Sequence, residues 1–198
     1  MRSLLAHPQF FQLFDTLVGG GFCVRFLTAN HLRVQSGQRL LDVGCGTAAI
    51  LADLPADVQY TGCDIHEGYV EAARRRFGDH GRFLVSRVAD LRPERLGEFD
   101  LVLAKGVLHH LDDAEALALF SLARKVLVAG GRLVTFDGVF VPGQSAAARW
   151  ILAHDRGSHV RSQAAYTELA RCSFSNVQAS IYNHLLRIPY THLVLECQ

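Results

Sequence analysis

Apolar positions fall into two periods along this chain. Leu40, Leu41 and Val43 make a short apolar run, and 58–63 (VQYTGC), 82–88 (RFLVSRV), 99–103 (FDLVL) and 132–136 repeat the strand-like pattern. Between them the spacing changes to three and four, which predicts helices over 67–77 and from Asp112 to Gly130. Asp112 with Glu115 three residues on reads as a capping box, and Leu119, Leu122, Ala123 and Val126 share one face. Further helices are expected over 8–18 (Phe10, Phe11, Phe14, Leu17, Val18), over 22–32 after the break at Gly19, Gly20 and Gly21, over 47–54 before Pro55, and over 144–152 and 166–172. Two last strands, near 176–182 and 192–197, are joined by a hairpin at 185–190. Strands alternating with helices predict an α/β fold with a doubly wound, mainly parallel sheet.

The stretch Leu40 to Ala48 (LLDVGCGTA) carries the first chemistry. Gly44 and Gly46 let the backbone turn and approach a ligand closely. Asp42, just before the turn, disfavours a phosphate and favours an ammonium or sulfonium group. Asp64, about 20 residues further on at the end of the next apolar run, has the spacing of a carboxylate that accepts ribose hydroxyls.

LLDVGCGTA, YTGCDI, RVADL, FDLVLAKGVLHHL and LVAGGRLVTFD, in this order, resemble the motifs of class I S-adenosylmethionine-dependent methyltransferases of the small-molecule type. The resemblance spans about residues 38–138. It implies a Rossmann-like, seven-stranded sheet with helices on both faces and an antiparallel C-terminal edge strand. It also implies S-adenosylmethionine as cofactor, S-adenosylhomocysteine as product, and no metal. Gly44, Cys45 and Gly46 would meet the methionine moiety, with Asp42 or a nearby carbonyl on its ammonium. Asp64 would hold the ribose, Ile65 would flank adenine, Asp90 and Leu91 would bind its edge, and Ala104 and Lys105 would lie at the cofactor. Ala48 stands where the family has a third glycine. The pattern Gly44-x-Gly46-x-x-Ala49 also fits a dinucleotide site, so an NAD(P)-dependent oxidoreductase is the rival enzyme, and a weakly catalytic cofactor-binding module of a larger assembly is the other alternative.

Acceptor chemistry belongs at the exit of the fourth strand, where His109 and His110 are the candidate catalytic groups. Residues 1–35 are expected to form a helical lid, 38–138 the cofactor core, and 140–170 an insertion over the acceptor, all in one domain. Arg156, His159 and Arg161 in that insertion are candidates for an anionic or polar acceptor, and a structural clamp through an Asp155–Arg156 or Asp155–Arg161 pair is the competing reading. Arg74, Arg75 and Arg76 complement a helix C-terminus rather than forming a phosphate site.

The 198 residues are 49% hydrophobic and 20% charged with net charge +1, so no basic field points to nucleic acid, and a small-molecule acceptor is expected. Cys23, Cys45, Cys63, Cys172 and Cys197 form no C-x-x-C pair and read as reduced thiols. Without a secretory pattern or a membrane-length apolar run, a cytoplasmic protein is expected.

Overall fold

The computed structural model describes residues 17–154 and 157–198. Strand β1 (Arg39–Val43) is paired in parallel with β2 (Gln59–Asp64) on one side and β4 (Phe99–Lys105) on the other. β3 (Gly81–Val85) adds to β2, and β5 (Leu127–Phe140) adds to β4, both parallel. β8 (His192–Cys197) runs antiparallel against β5, and β7 (Val177–Tyr182) closes that side antiparallel to β8. The order is β3-β2-β1-β4-β5-β8-β7. This is the expected seven-strand path, with the antiparallel strand one place in from the edge that β7 forms. An eighth strand, β6 (Arg161–Ser162), pairs in parallel with Val139 and Phe140 of β5.

Successive residues of a strand point to opposite faces, so adjacent apolar residues of β1 and β4 feed two cores. Leu40, Leu101 and Leu103 pack with Leu27, Leu32, Val70 and Ala73 from α1 (Gly20–Leu27), the π-helical turn Thr28–Leu32 and α2 (Glu67–Phe77). Leu41, Val43, Val102 and Ala104 pack on the other face beneath α4 (Asp113–Val126) and α6 (Gln163–Arg171). A one-turn helix α3 (Pro93–Leu96) precedes β4, and α5 (Ala146–Ala153) follows β5, with Ser145 capping its N-terminus. The capping box of α4 is present: Asp112 accepts the Glu115 N–H at 2.8 Å and Glu115 accepts the Asp112 N–H at 3.3 Å. Such a cap contributes about 1 kcal/mol.

Several elements differ from the pattern in the sequence. The helix expected over 47–54 is a short 3-10 segment, Ala49–Asp53, because Ala48 is left-handed (φ 52°) and Leu54 is extended ahead of Pro55. It therefore presents no α-helical N-terminus to a ligand. α1 begins at Gly20, not Phe22; Gly19 alone makes the break, with φ 93°. Apart from its last two residues, the helix expected over 8–18 lies outside the described residues. Within the described part of the expected lid, Leu27 and Leu32 are fully buried in the core while Leu17 and Phe22 are exposed. His31, also buried, is tied to Glu196 at 2.8 Å and to the Tyr182 hydroxyl at 2.9 Å. α4 ends at Val126, and β5 starts at Leu127 rather than at 132. No helix among the described residues is long and apolar enough to cross a membrane.

Candidate active site

The strand order reverses beside β1, and the register brings the C-terminal ends of β1, β2 and β4 level: Val43 faces Cys63 and Ala104, and Lys105 faces Phe136. Loops leaving such a switch point form the ligand crevice of open α/β sheets. Gly44, Cys45, Gly46, Asp64, Ile65, Ala104 and Lys105 are thus gathered at one place.

The glycine loop is built from inside. Gly44 (φ 72°) and Gly46 (φ 54°) are left-handed, and a Cβ on Gly44 would overlap the Val107 side chain. The Gly44 and Cys45 N–H groups donate to the Cys63 carbonyl at 2.7 and 3.0 Å. Asp64 then holds both sides of the crevice, accepting the Gly46 N–H at 2.9 Å and the His66 N–H at 2.8 Å. Each carboxylate oxygen retains acceptor capacity beyond one such bond.

Asp42 lies beneath this loop rather than in it. It is buried and accepts the Tyr60 hydroxyl at 2.7 Å. Burial pushes its carboxyl up to about 7, against the Tyr60 hydrogen bond and the Lys105 cation, which lower it. Tyr60, paired with Leu40 in the β1–β2 ladder and reaching two residues along it to Asp42, was not singled out by any motif in the sequence. Cys45 packs against Gly62, where a Cβ would come 2.8 Å from its sulfur. Burial raises the Cys45 thiol, and raises Cys63 to about 12, so both fill space rather than react.

Ile65 and Val85, at the ends of β2 and β3, are 55% and 45% exposed, an apolar pair beside Asp64. Asp90 is exposed in the 3-10 turn Val88–Asp90. Leu91 and Ala104 are buried in the core. Lys105 is half-buried at the exit of β4.

The 3-10 turn Leu108–His110 follows β4, and His109 is buried within it. Its Nδ1 is 2.8 Å from Oδ1 of Asp137, and its main-chain N–H donates to the same oxygen at 3.2 Å. Asp137, in β5, is itself buried. Facing a carboxylate, neutral His109 carries its proton on Nδ1 and its basic lone pair on Nε2. The exposed His110 ring lies 4.1 Å from that of His109, tilted 42°. Asp137 was missed in the sequence; the only signal was a lone carboxylate at the end of the apolar run LVTF.

Arg156 lies outside the described residues. His159 has an exposed side chain, but its N–H donates to the His109 carbonyl at 2.9 Å. Arg161 is a clamp and not an acceptor-binding group. Its Nε and Nη2 donate to Asp113 at 2.9 and 2.7 Å, Nη1 to the carbonyls of Leu108 and His159 at 2.9 and 3.0 Å, and Nη2 also to the Leu111 carbonyl at 2.7 Å. That engages every N–H of the guanidinium. Arg74, Arg75 and Arg76 are structural too: Arg74 donates to the Phe83 carbonyl at 2.6 Å, Arg75 pairs with Glu71 at 3.6 Å, and Arg76 lies over Phe77. Among the described residues, no group of three or more His, Cys, Asp or Glu side chains is placed to hold a metal ion.

Residues 41–133, from β1 through the glycine loop and the His109 turn into β5, match the family model of a methyltransferase domain. Over these residues the chain is similar to S-adenosylmethionine-dependent methyltransferases. Among relatives, it is 38% identical over 120 residues to the 27-O-demethylrifamycin SV methyltransferase of Amycolatopsis mediterranei, covering 58% of this chain and 43% of that one. The chain spans less than half the length of the first curated relatives it matches. Its fold is that of a TehB-like S-adenosylmethionine-dependent methyltransferase from Corynebacterium glutamicum (TM-score 0.67, 18% identity, 98% of this chain and 99% of that one). The mitomycin 7-O-methyltransferase MmcR superposes equally over 98% of this chain and 59% of its own (TM-score 0.70, 18% identity). The matched model is that of a methyltransferase domain, which gives the dinucleotide reading of Gly44-x-Gly46-x-x-Ala49 no support. The structure agrees, since a pyrophosphate sits on a helix N-terminus and here the loop leads into the short 3-10 segment.

Proposed function

We propose that this chain transfers a methyl group from S-adenosylmethionine to a hydroxyl of a small-molecule acceptor, with His109 as general base and Asp137 holding its imidazole. The observation that carries the reading is the buried His109–Asp137 contact of 2.8 Å at the exit of β4. It supports hydroxyl chemistry because such an acceptor has a proton to lose as it is methylated. The relatives named as O-methyltransferases point the same way.

The crevice fits the cofactor. The exposed Ile65 and Val85 are an apolar surface suited to adenine, and Asp64 has acceptor capacity left for ribose hydroxyls. Asp90 is assigned to the adenine amine, with main-chain contact from Leu91. The loop of Gly44, Cys45 and Gly46 would hold the methionine end, with Ala104 and Lys105 along its other side. Asp42 acts on the ammonium from beneath that loop. When bound, S-adenosylmethionine supplies an electrophilic methyl group on a sulfonium centre.

At the acceptor, the hydroxyl that would take this methyl group, leaving S-adenosylhomocysteine, would be held against His109. The hydroxyl proton passes to Nε2 of His109. Asp137 stabilises the imidazolium and keeps the ring oriented. A cavity of about 230 Å³ opens between the exit of β5, α5 and the β7–β8 hairpin, lined by Val141, Gln144, Ala148 and Tyr190. Exposed His159 and His110 flank His109 as further polar contacts. The 1–198 chain would act as one domain.

The test is to incubate the protein with methyl-13C S-adenosylmethionine and a panel of phenolic and polyketide-type alcohols, and to locate the label by NMR. A methyl ether product supports the reading. Label on carbon or nitrogen, or no transfer to any hydroxyl, contradicts it.

A further inference from the structure

The His109–Asp137 pair joins the turn that follows β4 to strand β5, just beyond the last ladder bond between them, Gly106 N–H to the Phe136 carbonyl at 2.7 Å. His109 sits in a three-residue 3-10 turn with two internal backbone bonds, His110 N–H to Val107 at 2.9 Å and Leu111 N–H to Leu108 at 3.2 Å. Short turns of this type have poor hydrogen-bond geometry and are soft. Asp137 belongs to β5. One residue touches both sides. The main chain of Arg161, in β6, pairs with Val139, two residues beyond Asp137. Its side chain, 9% exposed, crosses to the His109 turn and takes the carbonyls of Leu108 and Leu111, which bracket His109 and His110. The same guanidinium binds Asp113 at the start of α4 and the His159 carbonyl.

The strap leading into Arg161 closes on the imidazole itself. The His159 N–H holds the His109 carbonyl at 2.9 Å, and any Cβ on Gly157 would overlap the His109 ring.

We propose that Arg161 is the positioning residue of the His109–Asp137 pair, fastening the strand that carries the carboxylate to the turn that carries the imidazole. It thereby fixes the ring in the Nδ1–H tautomer that proton transfer from a hydroxyl needs. The inference rests on His109 being the base. A lysine cannot replace it, since an ammonium has three donors around one point and these acceptors require a planar fork.

The test reads the ring directly and needs no acceptor. Long-range 1H–15N spectra of full-length wild type, Arg161→Lys and Asp113→Asn report the tautomer of His109 and the exchange of its ring N–H, with thermal unfolding as the check on folding. In the wild type the Nδ1–H tautomer is expected alone. In Arg161→Lys the Nε2–H tautomer is expected to appear, with ring N–H exchange about tenfold faster. Asp113→Asn, which leaves the carbonyl contacts in place, is expected to shift the same signals less, and covers the case in which Arg161→Lys does not fold. An unchanged tautomer and exchange rate in the folded variants would show that Arg161 only ties down the insertion, and would overturn the proposal. Failure of the base reading looks different: His109→Asn would retain methyl transfer while the spectra still responded to Arg161.

Discussion

Oδ1 of Asp137 accepts both the ring Nδ1–H of His109, at 2.8 Å, and its main-chain N–H, at 3.2 Å. One carboxylate oxygen thus fixes both where the residue sits and which ring nitrogen carries its proton. Asp137→Asn keeps the shape but replaces a charged acceptor by an amide that can present N–H to the ring. Turnover is expected to fall by about 10²-fold or more, with S-adenosylmethionine affinity unchanged by calorimetry. Equal losses in turnover and in cofactor affinity would place Asp137 in folding rather than in proton transfer.

Asp64 spans the crevice through Gly46 and His66. Hydrogen bonds to a charged group contribute about 1.5–3 kcal/mol each, so Asp64→Ala loosens the loop as well as removing the ribose acceptor. A rise of at least about tenfold in the dissociation constant for S-adenosylhomocysteine is expected by titration calorimetry. Unaltered affinity would remove Asp64 from the cofactor site.

Gly44 and Ala48 are both left-handed, at φ 72° and 52°, yet their substitutions differ in sign. Gly44→Ala adds backbone strain of about 1–3 kcal/mol and an overlap with Val107, and is expected to abolish cofactor binding. Ala48→Gly relieves about 1 kcal/mol of left-handed strain and loses a fully buried methyl of about the same worth. Its unfolding free energy in urea is expected to stay within about 1 kcal/mol of wild type.

Burial of Asp42 makes stability depend on pH in a direction opposite to that of most carboxylates. Its carboxyl is raised from 3.8 to about 7 in the folded chain. Between those values the folded state keeps a proton that the unfolded state has lost, so this group's contribution to stability falls as pH rises through the window and levels off above it. Asp42→Asn cannot ionise and still accepts the Tyr60 hydroxyl. The stability of Asp42→Asn relative to wild type is therefore expected to rise from about pH 4 to about pH 7 in urea titrations. A difference that is flat with pH would show that Asp42 is not held protonated by its burial.

Much of the architecture was legible in the chain because it depends on local pattern. The apolar runs at Leu40, 58–63 and Phe99 became β1, β2 and β4, and the Asp112–Glu115 spacing became a working cap. The glycine turn and Asp64 came together because strand register follows from the same runs. What escaped depends on contacts between distant parts of the chain. Ala48 adopts a conformation that alanine alone would not suggest, imposed by the turn around Cys45 and Gly46. Asp137 looked like a strand end before a glycine, and only the sheet brings it under His109. A structural clamp was legible at Arg161 but its partners were not: besides Asp113 it takes the carbonyls of Leu108 and Leu111, some fifty residues away, and of His159, and main-chain carbonyls carry no signature in the sequence.

The central claim is that His109 removes the acceptor's proton during methyl transfer. The most direct test is the single-turnover rate of wild type and His109→Asn on one hydroxyl acceptor, measured at saturating S-adenosylmethionine together with cofactor affinity. The expected result is a loss of about 10²-fold or more in rate at unchanged affinity. A His109→Asn enzyme as fast as wild type would contradict the account.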